Sequence, residues 1–382
     1  MKSIILKILT YINRVIPKNK NYILFTSHPD MTDNSYAFYE YMISKHSDRY
    51  IFIWLVEPKF SIKDKHTLKK TKIISKKSIL GFYYYCRAKY LFFTHNNYAS
   101  LPTVKSQIGV NLWHGMPLKK IGHLDNKPYY PKTNFTISTS PIFQKIMSDA
   151  FHQPLNSVLI TGQPRNQYLL NKDKHILKLL NINKNKYKKI IAWLPTYRTS
   201  SHGEIRNDGT TFDLLPLVSK SQLKKFDKFL SLNNIFCFIK LHPVDIISKD
   251  DFDTYTNIQV LDNSDFNIRE IQLYSFLANI DALITDYSSV YIDYMLTKNP
   301  IGFVIPDIDS YKKNRGFSFE NALEKLPGDI IKTYTEFENF IENIVNNNSV
   351  TYMDNGLFEF YHSIESNFSE KIYNIVFKGD KT

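Results

Sequence analysis

Short apolar runs, each ending in a polar cluster, recur along this chain with helix-sized intervals between them. In the first half the runs at 22–28, 51–56, 90–94, 110–113, 135–138 and 157–161 read as strands. Continuous apolar stretches bounded by polar residues suit strands that are covered on both faces. Between them, 34–42, 79–88 and 141–150 read as helices, and the lysine-rich 59–77 as a surface loop or exposed edge. The beginning of the chain is different. Ile5, Ile8, Leu9, Ile12 and Ile16 fall on one helical stripe, Lys2, Lys7, Arg14, Lys18 and Lys20 add positive charge, and Pro17 stops the helix. Such a segment fits either an interfacial helix on anionic lipid or a terminal helix packed on its own domain.

After a polar, lysine- and asparagine-rich segment at 171–189 the pattern restarts. Strands are expected at 189–194, 235–241, 258–261, 282–285 and 301–305. Helices are expected at 214–230 despite Pro216, at 268–278 and at 290–296. The expected organisation is a helix over 1–20, domains over 21–180 and 181–350, and a helical segment over 351–382. Strand, crossover and strand in repetition define an α/β chain with mostly parallel sheets, so two Rossmann-like domains facing a central cleft are the expected architecture. Open sheets of this kind take their ligands at the carboxyl ends of the strands. The polar clusters lie there: Ser27-His28, Thr94-His95-Asn96, His114, Ser138 to Ser140 and Gly162 to Arg165.

Composition narrows the partners. The chain has 382 residues, long for one core, and carries 49 Lys and Arg against 36 Asp and Glu, a formal charge of +13. That balance favours an anionic partner, whether nucleic acid, anionic lipid or a phosphorylated substrate. No nucleic-acid-binding module is recognisable, which argues against the first. Cys86 and Cys237 lie far apart and form no metal motif or disulfide framework, so a reducing compartment is expected. No apolar run is long enough to span a bilayer, and no signal peptide with a convincing cleavage site is present. Neither GxGxxG nor the P-loop occurs.

The candidate chemistry sits at strand ends. His114 stands between Trp113 and Gly115, with Lys119 and Lys120 beyond. An imidazole titrates near neutrality, a following glycine lets a ligand approach the backbone, and the lysines would hold phosphate nearby. His242 ends the matching strand of the second half, which puts one histidine in each domain. Asp286-Tyr-Ser-Ser289 opens a helix, where Ser288, Ser289 and the free N–H groups would bind an anion while Asp286 orients the turn or holds a hydroxyl. Arg165 and Arg198 follow strand-end turns and suit bidentate phosphate binding or a salt bridge. Arg315 lies in a late loop. Asp307 and Asp309 have DxD spacing but read as loop residues, so no metal site is expected.

Trp113 to Gly122 resembles the signature of the CDP-glycerol glycerophosphotransferase family, bacterial enzymes of teichoic acid synthesis. Residues 161–166, 194–198, 240–243 and 285–294 look like that family's further blocks, in the family's order. So do Tyr311, Gly316-Phe317 and 326–328. The resemblance covers roughly 20–335 and implies a GT-B-like fold peripheral to the cytoplasmic face of the membrane. It also implies transfer of a polyol phosphate from CDP-glycerol, or CDP-ribitol, to an undecaprenyl-diphosphate-linked glycan, with release of CMP and no tightly bound cofactor. The family's two histidines fall on His114 and His242, and its donor-site residues on Arg198, Asp286, Ser288 and Ser289, with Arg165 a further candidate. Gly115, Lys119 and Arg315 are expected near phosphate or acceptor, and Ile5, Lys7, Ile8 and Ile12 at an anionic membrane surface. Met116 stands where a small Thr is common in the family. The length resembles compact members, primases among them. Rival readings are a capsular polyol-phosphate transferase, a nucleotide-sugar glycosyltransferase of related fold and a noncatalytic membrane scaffold. Oligomeric state is open.

Overall fold

The computed structural model describes residues 2–60, 70–95, 98, 101–125, 133–196, 212, 214–241, 249–309, 316–347 and 355–378. The chain divides into two compact units. One comprises 1–116, 121–167 and 360–382, and the other 117–120 and 168–359. Each is a parallel-sheet α/β domain, and together they constitute a GT-B-like fold.

In the first unit the strands are β1 (Asn19–Thr26), β2 (Ile51–Val56), β3 (Thr71–Ser75), β4 (Ala88–Phe93), β5 (Ile108–Asn111), β6 (Phe135–Ser138) and β7 (Val158–Ile160). Their order is β3-β2-β1-β4-β5-β6-β7, all parallel. The chain winds outward from β1 in one direction, then returns to build from β4 in the other, so the switch point lies between β1 and β4. Their middles are wholly apolar because helices cover both faces: α1 (Lys2–Val15), α2 (Asp33–His46), α3 (Ile79–Arg87) and α4 (Pro141–Phe151). Phe25 of β1 stacks on Trp54 at 5.3 Å and on Phe92 at 5.6 Å between ring centroids.

The second unit repeats the plan. Strands β8 (Lys189–Leu194), β9 (Ile235–Lys240), β10 (Ile258–Leu261), β11 (Ala282–Thr285), β12 (Ile301–Val304) and β13 (Asp329–Ile331) lie in the order β10-β9-β8-β11-β12-β13, also parallel. The switch point falls between β8 and β11. Helices α5 (His175–Leu179), α6 (Leu223–Leu232), α7 (Asn263–Ile268), α8 (Leu273–Leu277), α9 (Val290–Tyr294) and α10 (Tyr334–Val345) flank it.

Several expectations are corrected. The helix expected over 214–230 begins only at Leu223, because Pro216 and a left-handed Leu217 (φ 69°) make 214–218 a turn. The helix expected over 268–278 is two, broken at Glu270, whose φ is 54°. Of the two readings of the lysine-rich 59–77, the exposed edge holds for its end, where β3 is the outermost strand. The segment 168–180 belongs to the second unit, where Arg269 Nε donates to Leu179 O at 3.0 Å.

The closing helices α11 (Asn355–Tyr361) and α12 (Phe368–Tyr373) bring the chain back to the first unit. Tyr373 stacks on His46 at 4.0 Å, and Phe368 packs against Gly162. Gly162 has φ 69°, and a Cβ there would stand 2.3 Å from the Phe368 ring, so both backbone and packing require glycine.

Helix α1 has two apolar faces where one stripe was expected. Leu9 and Ile16 turn inward against the core beside α3, and the buried Asn13 donates to Gln107 Oε1 at 2.9 Å. Ile4, Ile8, Tyr11 and Val15, spaced i, i+4, i+7, i+11, face outward with Ile5 and Lys7, while Ile12 is half-buried. Among the described residues no helix is long and apolar enough to cross a membrane.

Candidate active site

His114 follows β5, beside the switch point of the first sheet. Its turn is conformationally demanding: Trp113 has φ 48° and Gly115 φ 134°. A left-handed tryptophan persists only when its surroundings hold it. They do so through nearly every backbone group. Leu112 N donates to Phe93 O at 2.8 Å and Trp113 N to Asn111 Oδ1 at 3.0 Å. Asn34 Nδ2 donates to Leu112 O and Trp113 O, both at 3.0 Å. Arg165 Nη1 donates to His114 O at 3.1 Å.

The imidazole itself is fixed by Thr94. A carbonyl only accepts, so the 3.0 Å contact with Thr94 O makes His114 Nδ1 the donor and leaves the Nε2 lone pair to take a proton. The ring is half-buried between Trp113 and His95, with centroids 4.1 Å from each. Burial holds its pKa below the usual 6.5; the Thr94 hydrogen bond and Asp33 oppose that shift, and Arg165 and His28 add to it. His95 is pushed down to about 3, chiefly by burial and then by His114, His28 and Arg165. Its Nδ1 shares a 3.0 Å hydrogen bond with Thr94 Oγ1, and His28 meets its ring edge-on at 5.7 Å. Three imidazoles thus gather at the ends of β1, β4 and β5. The strand-end clusters flagged His28 and His95, but no local pattern joins them to His114.

Arg165, expected to bind donor phosphate, is 4% exposed and paired with Asp33 Oδ1 at 2.6 Å. Lys119 and Lys120 lie in the short segment grouped with the second unit. There Lys119 bridges Phe317 in antiparallel fashion, and Ser318 N donates to Leu118 O at 3.0 Å. Lys120 and residues 317–324 line a hollow of about 580 Å³.

At the switch point of the second sheet, Asp286 follows β11 and is 2% exposed. Its Oδ2 accepts from Thr196 N and Thr196 Oγ1, both at 2.9 Å, which ties the end of β11 to the end of β8. Ser288 and Ser289 are half-buried at the start of α9, and Ser289 makes no capping hydrogen bond with its side chain. Tyr287 is locked inward, donating to Asp307 Oδ1 at 3.0 Å. Arg198, His242 and Arg315 lie outside the described residues. Among the described residues no cluster of His, Cys, Asp and Glu is arranged to hold a metal ion.

Two parallel-sheet domains with an imidazole immobilised beside one switch point describe an α/β protein of GT-B-like fold with a candidate proton acceptor. Residues 8–378 match the family model described as CDP-Glycerol:Poly(glycerophosphate) glycerophosphotransferase, and the chain belongs to that family. It is 30% identical over 366 residues to a teichoic acid poly(glycerol phosphate) polymerase of Bacillus spizizenii, covering 87% of this chain and 86% of that one. It is 31% identical over 263 residues to a teichoic acid ribitol-phosphate primase of the same organism, covering 63% of this chain and 62% of that one. The wall teichoic acid polymerase TagF shares its fold, with a TM-score of 0.78 at 23% identity over 100% of this chain and 96% of that structure.

Proposed function

We propose that this protein is a CDP-polyol phosphotransferase of teichoic acid or related cell-surface polymer synthesis. It moves glycerol phosphate from CDP-glycerol to a hydroxyl of an undecaprenyl-diphosphate-linked glycan and releases CMP. The observation that carries the reading is the His114 imidazole, held neutral with Nε2 as its free acceptor, in a member of this family. The acceptor oxygen attacks the phosphorus that bears glycerol, and its proton passes to His114 Nε2. The bond from that phosphorus to the bridging oxygen breaks, and CMP leaves with the electron pair. His242 is assigned to the leaving phosphate and Arg198 to the pyrophosphate on the family resemblance. Asp286 and the Ser288-Ser289 helix start are assigned to the donor, a reading that their position at the second switch point supports.

The acceptor is carried by a lipid, so the enzyme works peripherally on the cytoplasmic face of the membrane. Support comes from the outward face of α1 and the start of the helix beneath it, α3, where Ile79 is 91% exposed beside Leu80 and Tyr83. Lys7, Arg14, Lys76 and Lys77 supply charge for anionic headgroups. Replacing Ile5, Ile8 and Ile79 with serine should leave the melting temperature unchanged and weaken sedimentation with anionic vesicles at least tenfold. Undiminished binding rejects the surface.

The deciding experiment pairs CDP-glycerol and CDP-ribitol with defined lipid-linked acceptors and reads product mass. The expected result is addition of glycerol phosphate with stoichiometric CMP. Exclusive use of CDP-ribitol would replace the donor, and turnover of neither donor on any such acceptor would overturn the reading.

A further inference from the structure

The His114 turn is held by residues that the reaction itself does not call for. Asn34 is completely buried, yet its amide bonds to two separate segments. Nδ2 donates to Leu112 O and Trp113 O at 3.0 Å and to Gln163 Oε1 at 3.1 Å, while Oδ1 accepts from Arg165 N at 3.1 Å. Its neighbour Asp33 holds Arg165 Nη1 at 2.6 Å, and the same Nη1 donates to His114 O. The first residues of α2 thus grip the histidine turn on one side and the 161–166 turn on the other. Trp113 is left-handed within this grip, a state that relaxes when its hydrogen bonds are removed.

We propose that Asn34 and the Asp33–Arg165 pair are positioning residues that fix the direction of the His114 imidazole. The inference rests on His114 being the base. Asn34 sets the carbonyls before the imidazole, and Arg165 the carbonyl after it. Both side chains are buried, Arg165 to 4% exposure and Asn34 completely. The two keep Nε2 aimed, and a misdirection of about 1 Å at a reacting group costs about a hundredfold. The same cluster sets the electrostatics of the ring. The charged and titratable groups that face His114 are Asp33, Arg165, His28 and His95, and Asp33 is the one among them that favours the protonated imidazole.

The test uses the full chain with CDP-glycerol and a lipid-linked acceptor, and compares Asn34→Ala, Asp33→Asn, Arg165→Lys and His114→Ala. Asn34→Ala should lower kcat at least tenfold with the donor KM within about threefold of the parent. Asp33→Asn keeps an acceptor for Arg165, and asparagine tolerates the left-handed backbone of residue 33 (φ 63°). With that negative charge gone the acid limb of kcat should move to lower pH. Arg165→Lys, which retains the charge on a shorter side chain of different shape, should lower kcat without moving the limb. An Asp33–Arg165 pair that merely stabilised the fold would leave the acid limb in place. A normal kcat in folded Asn34→Ala, or a raised donor KM as its sole defect, overturns the inference. If Asn34→Ala does not fold, an unmoved acid limb in Asp33→Asn overturns it instead. A normal kcat in His114→Ala would remove the base assignment beneath it, an outcome readable independently of the other three.

Discussion

The ends of the two sheets occupy equivalent places and are built for different work. At the first switch point the chain spends a strained tryptophan, a buried ion pair and a buried amide on the direction of one imidazole. At the second, the described groups are a carboxylate tied to the neighbouring strand end and two hydroxyls opening a short helix. On the proposed function, proton transfer requires one lone pair at one angle, which accounts for a group immobilised from several directions. Binding a pyrophosphate or a polyol requires several donors and acceptors over an area, and hydroxyls and backbone N–H groups provide them without a strained turn.

The comparison breaks first at His114. His114→Ala should lower kcat about 10²–10⁴-fold, the range for a positioned general base, with the donor KM little changed. Steady-state rates of CMP release at saturating acceptor measure it. A variant with normal kcat would mean that the first switch point binds and does not act on protons.

Asp286 tests the other half. Asp286→Ala leaves Thr196 N and Oγ1 without their acceptor, and a hydrogen bond to a charged group is worth about 1.5–3 kcal/mol. Loss of that tie should lower thermal stability and, on the proposed function, loosen the donor site so that donor kcat/KM falls mainly through KM. A fall in kcat alone would place proton chemistry in the second unit and erase the distinction.

Protonation separates the two ends by stability as well. His95 and His114 have folded pKa values below the unfolded 6.5, so between about pH 3 and 6.5 the unfolded chain binds more protons than the folded one. Stability then rises with pH across that window and is lost as pH falls through it. Melting temperatures from pH 7.5 down to 4.5 should drop, and His95→Asn should flatten the drop. A curve identical in parent and variant would mean that His95 is not held neutral by the fold.

Much of this was legible in the sequence. The buried central strands were, because a strand covered on both faces is apolar throughout. The least distinct were β3 and β13, the outermost strands of their sheets: β3 lies in a lysine-rich stretch and β13 is three residues long, both ordinary for edges. His114 and Asp286 were readable from their strand-end positions. Asn34, Asp33 and Thr196 were not, since their work is done across the fold. Asn34 bonds to Leu112 O 78 residues away and to Arg165 N 131 residues away, and no local pattern encodes such a pairing. Arg165 shows the converse: its type and place suggested phosphate, while its partner Asp33 lies far back in the chain.

The smallest expected effect sharpens the comparison most cleanly. Ser289 stands at the start of α9 without a side-chain capping bond, so Ser289→Ala removes no hydrogen bond that the fold uses there. Its thermal stability should stay within about 0.5 kcal/mol of the parent. If the hydroxyl meets the donor, the donor KM rises several-fold at unchanged kcat, the signature of binding energy shared equally by ground and transition state. An unchanged KM would strip Ser289 of any donor contact and leave Asp286 and Ser288 as the described donor-side groups. Beside His114, by contrast, Asn34 and Arg165 are committed to holding the turn, so replacing either costs structure as well as contact.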